Sequence, residues 1–216
     1  MSPLTPEAFA AETGVSRETL ARLEGYSALL ARWNERINLV ARDSLRDPWR
    51  RHLLDSAQLL PLIPAGARSL VDLGSGAGFP GLVLAILGVP GVGLIEADSR
   101  KCAFLREAAR IAAAPVAIHN TRIEALPPRP VDVVTARGCA SLDRLLVMAQ
   151  GLVGPHTSCL FLKGERAEEE LTAARRGWNM IASLHPSRSD PRGVIVALEQ
   201  VARRPEWAGG AEGGRA

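Results

Sequence analysis

Residues 71–81 read VDLGSGAGFPG. The apolar run SLVDL (69–73) enters this glycine cluster and LVLAIL (82–87) leaves it, so the stretch marks a buried strand turning into a short helix. The alternation continues toward the C-terminus. GVGLIE (91–96), VAIHN (116–120), VDVVTA (131–136) and SCLFLK (158–163) have the length and apolar content of strands, several of them buried on both faces. Helical spacing over 80–87, 99–112, 142–151 and 167–176 separates them. Strands interleaved with helices imply a parallel sheet covered on both sides. The last two strands, over 180–185 and 194–200, are joined by SRSDPRG, which is too short for a crossover helix and predicts antiparallel pairing.

N-terminal to the glycine cluster the texture is helical. Thr5-Pro6 forms an N-cap and first-turn pair, and Gly14 ends that helix. From Ser16, the residues Leu20, Leu23, Tyr26, Leu30, Trp33 and Ile37 recur at spacings of three and four, the stripe of an amphipathic helix. WRRHLLDSAQLL, after Asp47-Pro48, predicts a third. The expected organisation is a helical cap over 1–65, an α/β core over 66–207 and a disordered tail over 208–216.

Composition narrows the class. The 216 residues are 47% hydrophobic and 23% charged, which excludes disorder by composition. The uncharged run over 73–95 has the length of a membrane span, but glycine and proline cut it into pieces no longer than LVLAIL. No membrane association is expected, and the N-terminus lacks the pattern of a signal peptide. Cys102, Cys139 and Cys159 are odd in number and lack CxxC spacing, so neither disulfides nor a metal site is predicted and a cytoplasmic location is expected. Basic residues number 26 against 23 acidic, a net +3 that permits a nucleic-acid partner without requiring one. Only Lys101 and Lys163 among those basic residues are lysine.

The glycine cluster parses in two ways. Gly76, Gly78 and Gly81 fit the GxGxxG of a dinucleotide site, with Glu96 placed for a ribose hydroxyl. Gly74, Gly76 and Gly78 fit the GxGxG of S-adenosyl-L-methionine (SAM) enzymes. The flanks favour SAM: Asp72 suits a cofactor with a cationic amino-acid moiety and would repel a pyrophosphate. The antiparallel finish and the preceding helices agree with a class I, Rossmann-like, seven-stranded methyltransferase fold. An NAD-binding oxidoreductase and a non-catalytic nucleotide-binding module are the alternatives. Ligands of such sheets lie at the carboxyl ends of the strands, which adds Glu96 as ribose acceptor, Ile123 and Glu124 beside the adenine, and Arg137 toward the cofactor or the nucleotide.

Five strings in order carry a family resemblance: WNERINLV (33–40), RHLLDS (51–56), DLGSGAGFPG (72–81), TARGCASL (135–142) and FLKG (161–164). The chain resembles the RsmG (GidB) family over about 25–200. That resemblance implies methylation of ring nitrogen 7 of a guanine in the 530 loop of 16S rRNA, the family's guanine(527)-N7 activity. It also implies cofactor contacts at Gly74, Phe79, Ile123, Glu124 and Arg137. Gly138-Cys139 departs from the family's usual alanine and bulky apolar residue, and Val83 from its PGIPLA segment.

The residues agree with a ring-nitrogen target. The (N/D)PP(Y/F) segment used for exocyclic amines is replaced by ARGCA (136–140). Carbon-5 methylation needs a cysteine nucleophile, and Cys139 lacks a preceding proline and a second placed cysteine. Guanine N7 bears a lone pair and no proton, so positioning suffices and no general base is nominated among His52, His119, His156 and His185. Arg51, His52, Asp55, Arg137 and Lys163 border the expected guanine pocket, where Ala at Arg137 or Lys163 should lower methylation far more than stability. Arg51 and Asp55 fit equally an i,i+4 pair joining cap to core. Arg46, Arg50, Arg51, Arg203 and Arg204 are candidates for the RNA backbone or for a solvated face. Another RNA or a small molecule is the alternative substrate. The expected partner is 16S rRNA or an assembling small subunit, met by a monomer.

Overall fold

The computed structural model describes residues 2–205. Helix α1 (Pro6–Thr13) starts where Thr5 Oγ1 accepts from the Ala8 N–H at 3.2 Å and stops at left-handed Gly14. Helix α2 (Arg17–Asn34) starts with Ser16 Oγ accepting from the Thr19 N–H. Such caps contribute about 1 kcal/mol each. The predicted stripe is cut one member short. Asn34 Oδ1 accepts from the N–H groups of Leu39 and Val40, both at 2.9 Å, which gives the chain an alternative to helix and leaves Ile37 beyond its end. The third helix opens as a π turn, Trp49–Leu54, before the short α3 (Asp55–Ala57).

The core alternates β1 (Leu70–Leu73), α4 (Gly81–Ile86), β2 (Val92–Glu96), α5 (Ser99–Ile111), β3 (Val116–Asn120), β4 (Val133–Arg137), α6 (Leu142–Ala149), β5 (Ser158–Lys163), α7 (Ala167–Ala174), β6 (Trp178–Pro186) and β7 (Val194–Arg203). The seven strands lie in the order β3-β2-β1-β4-β5-β7-β6. β7 runs antiparallel to both neighbours, and the other pairings are parallel. Order reverses between β1 and β4, the switch point where such sheets bind ligands.

Alternate residues of β1, β4, β5 and β7 feed two apolar cores. One face of β5 sends Leu160 and Leu162 toward the cap, α4 and α5; the other sends Cys159 and Phe161 toward α6 and α7. The cap shares the first core, because Phe9, Leu23, Tyr26, Leu30, Leu53 and Leu54 cluster with Leu70, Leu82, Leu94 and Phe104. Cap and sheet therefore bury one continuous interior. Asp72 and Thr135 are paired in register on the cap-covered face, the setting of the site. Among the described residues no helix is long and apolar enough to cross a membrane. The tail expected over 208–216 lies outside the described residues.

Candidate active site

Gly74, Gly76 and Gly78 have φ of +60°, +56° and +94°, the left-handed region that favours glycine. Two of them are also required by space. A Cβ on Gly74 would stand 2.6 Å from Cys139 Sγ. One on Gly78 would stand 2.9 Å from Leu82 Cβ and 3.1 Å from the Tyr26 hydroxyl. Gly78 thus also serves packing inside the protein. Tyr26 donates from its buried hydroxyl to the Ala77 carbonyl, so α2 holds the loop from behind.

The predicted carboxylates take different positions around this loop. Glu96, at the end of β2, accepts from the Gly76 N–H through Oε2 at 2.9 Å and from the Asp98 N–H through Oε1 at 2.8 Å. A carboxylate has about four acceptor sites, so Glu96 clamps the loop and retains capacity for hydroxyls. Asp72 is 0% exposed beneath the loop, with the Thr135 hydroxyl donating to Oδ1 at 2.8 Å and Oδ2 unpartnered. Burial pushes its carboxyl up to about 6. No Asp72 atom reaches the surface, so its influence on anything bound at the loop is electrostatic. Ile123 and Glu124 sit on a 3₁₀ turn (Ile123–Ala125) and line a separate cavity of about 480 Å³ with Val147 and Met148 of α6. The charges around the loop act on Cys139. Its thiol is raised by desolvation first, then by Asp72 and Glu96 against an opposing effect of Lys163, with Glu124 adding to the rise. Residues from four strand ends thus act on one sulfur that leans over Gly74.

A larger cleft of about 590 Å³ lies between cap and core, lined by Arg51, His52, Asp55, Arg137 and Lys163 among others. The structure brings all five predicted substrate residues to this cleft. Their pairings differ from those expected. Arg51 and Asp55 do not pair; Arg51 Nη1 reaches Asp190 Oδ2 at 2.5 Å, and Asp55 Oδ2 accepts from Arg137 at 3.2 Å. The competing partners from β4 and the β6–β7 turn are better placed than the helix neighbour. Arg137 also donates to the Arg51 carbonyl at 3.1 Å and places Cζ 4.6 Å from the centre of the Phe79 ring. Phe79 is 4% exposed and stacks on His52 at 4.8 Å, so its ring faces the cap. Lys163 Nζ donates to the Ala140 carbonyl at 2.5 Å and pairs with Glu170 at 2.8 Å; its side chain is 7% exposed. Glu170 also accepts from the Leu142 N–H at the start of α6. Lys163 therefore fixes the 138–142 segment, and Ala there should disturb local structure as well as activity. Of the candidate RNA-backbone arginines, Arg46 pairs with Asp43 and Arg50 with Asp47.

The wall supplied by Ser189, Asp190 and Arg192 was missed from sequence. SRSDPRG read as a connector, although its density of serine, aspartate and arginine was the available signal. Ser189 Oγ donates to Asp55 Oδ1, and Gln58 Oε1 accepts from the Arg188 N–H at 2.8 Å, which fastens the turn to the cap.

His52 yields a pH prediction. Burial, then the charges of Arg137 and Arg51, lower its pKa from 6.5 to about 3, so the imidazole is neutral in the fold. The unfolded chain takes the proton more readily. Stability tied to the neutral ring is therefore complete above pH 6.5 and declines as pH falls toward 3. Relative to a His52→Phe variant, which keeps a ring against Phe79, the parent should lose about 2 kcal/mol between pH 7 and 5. Denaturant melts across pH 4–8 check this, and parallel curves would refute it.

The family described as rRNA small subunit methyltransferase G matches residues 19–187. The chain belongs to that family. Ribosomal RNA small subunit methyltransferase G of Paramagnetospirillum magneticum is 57% identical over 198 residues, covering 92% of this chain and 97% of that protein. The Rhodospirillum rubrum methyltransferase G is 56% identical over 200 residues, covering 93% and 100%. Among solved structures, a glycopeptide N-methyltransferase complexed with SAM aligns with TM-score 0.57 and 12% identity over 68% of this chain and 93% of its own. That likeness concerns the fold, which is the class I SAM methyltransferase fold. Membership in the methyltransferase G family resolves the two parses of the glycine loop in favour of SAM, and the oxidoreductase and nucleotide-module readings fall away.

Proposed function

We propose that the protein methylates N7 of a guanine in the 530 loop of 16S rRNA, as a cytoplasmic monomer acting on rRNA or an assembling small subunit. Family membership carries SAM-dependent rRNA methylation. The ring-nitrogen target is what the family resemblance implies, and one observation agrees with it: the site supplies neither a thiolate nor a titrating imidazole. Cys139 is raised, Cys102 and Cys159 are buried, and His52 is neutral. A nucleophile without a proton needs neither group, whereas pyrimidine carbon requires a thiolate.

The loop fits the cofactor. Beside Gly76 a Cβ would meet nothing nearer than the Gly74 carbonyl at 3.8 Å, so that backbone is open to approach. Gly74 and Gly76 would receive the amino-acid end above the charge of Asp72, Glu96 would accept from the ribose, and Ile123 with Glu124 would border the adenine. The bound cofactor supplies a methyl group on cationic sulfur. Arg137 orients the cleft by tying Asp55 and Phe79 together, and the cap closes one side against water.

The test is incubation with labelled SAM and small subunits, naked 16S rRNA or tRNA, followed by chain cleavage specific for 7-methylguanine. Label at one guanine of the 530 loop is expected. Label confined to tRNA, or on another base, would overturn the proposal.

A further inference from the structure

The large cleft is lined by three carboxylates, and two are engaged. Asp55 accepts from Ser189, Gln58 and Arg137. Asp190 accepts from Arg51 and from the Arg192 N–H. The third is Glu165, two residues past the end of β5 and exposed on the cleft wall. Among the described residues it accepts no hydrogen bond and pairs with no cation. The cations of the cleft are already directed elsewhere: Arg51 to Asp190, Arg137 to Asp55, Lys163 to Glu170 and Arg192 weakly to Asp190. Gly138 and Gly164 also line the cleft, and a Cβ on either would meet nothing within 4 Å, which leaves room for a flat ring. The cleft thus offers a free bidentate acceptor beside open space.

We propose that Glu165 is a specificity-determining residue that reads the Watson–Crick edge of the target guanine, accepting from N1–H and the N2 amino group. This rests on the N7-guanine reading above. The two donors of that edge are parallel and match two carboxylate oxygens, as in other bidentate readouts of bases. Adenine offers a bare N1 there, which would face the carboxylate as acceptor against acceptor. N7 lies on the opposite edge of guanine and stays free for methylation. When N7 forms its bond to the methyl carbon and the sulfur–methyl bond breaks, the positive charge passes from sulfur to the purine and no proton moves. The charged purine is a stronger donor at N1 and N2, so its pairing with Glu165 tightens as the reaction proceeds. Glu165 consequently assists turnover as well as selection.

The experiment uses 16S rRNA assembled by ligation, as naked RNA and as reconstituted small subunits, with guanosine or inosine at the target. Inosine keeps N1–H, O6 and N7 but lacks the N2 amino group. The parent enzyme should lose about 10-fold or more in kcat/KM and measurable RNA affinity on inosine. Glu165→Gln should lose about 10- to 100-fold on guanosine and discriminate guanosine from inosine less than about 2-fold. Melting temperature and SAM affinity of the variant should match the parent, since Glu165 holds no other group. Parent-like turnover of Glu165→Gln on guanosine, or an equal inosine penalty in both proteins, would overturn the assignment. Failure of the parent to label guanine N7 in either RNA form would overturn the underlying functional reading and this inference with it.

Discussion

Arg137→Ala should lower methyl transfer by about 100-fold and the melting temperature by about 5–10 °C. The guanidinium joins three groups that the chain brings from separate segments: the Asp55 carboxylate, the Arg51 carbonyl and the Phe79 ring. Arg137 and Asp55 side chains are only 20% and 16% exposed, so the pair is poorly screened. Removing one partner of a buried pair costs about 3–5 kcal/mol because the other charge stays behind. Ser189 and Gln58 still donate to Asp55, which reduces the expected cost to about 2–3 kcal/mol. A second variant separates stability from function. Combining Arg137→Ala with Asp55→Asn removes the stranded charge and should recover most of the melting temperature, while turnover stays low because nothing orients the cleft. Recovery of turnover with stability would reduce Arg137 to a structural residue. Arg137→Lys should regain little activity, since a single ammonium cannot hold the carboxylate and carbonyl while lying over a ring.

What could be read from sequence was local. Strands and helices followed from hydrophobic period, the antiparallel finish from a connector too short for a crossover, and the glycine loop from its place between strand and helix. Asp55 and Arg51 show why the rest could not be read. Four residues apart on a helical segment, they satisfy the usual pairing rule, yet each has a partner more than eighty residues away along the chain. Lys163 lines the cleft, but its partner Glu170 belongs to α7 and bonds to the start of α6, a contact without any sequence period. Phe79 packs its ring against His52 and Tyr26, a contact with the cap that the loop motif by itself does not announce. The motif identified the chemistry; tertiary contacts decided which atoms were left to perform it.

Asp72→Asn should stabilise the ligand-free protein at pH 8 while weakening its hold on SAM. In the fold the Asp72 carboxyl is raised from 3.8 to about 6 by burial, against hydrogen bonds that favour its charge. The folded protein therefore holds this proton more tightly than the unfolded chain. The resulting stability is complete below pH 3.8 and lost as pH rises through 6, which leaves an ionised, destabilising carboxylate at neutral pH. Asparagine stays neutral with nearly the same shape. The variant should gain about 2–3 kcal/mol over the parent at pH 8 and nothing at pH 4. Binding should move the other way. A negative charge in a dry interior acts strongly on a nearby cation, and its removal should weaken SAM about 10- to 100-fold. S-adenosylhomocysteine divides the attraction: it retains the ammonium and lacks the sulfonium charge. Equal losses for both ligands would assign Asp72 to the amino-acid end, whereas a larger loss for SAM would assign it to the sulfur. In the parent, affinity should also fall as pH drops through about 6, and in the variant that dependence should vanish. Calorimetric titrations of both ligands into both proteins at pH 5 and 8 measure the affinities, and denaturant melts at pH 4 and 8 measure the stabilities. Unchanged SAM affinity in Asp72→Asn would leave the buried carboxylate without an electrostatic role at the cofactor and make its cost to stability unexplained.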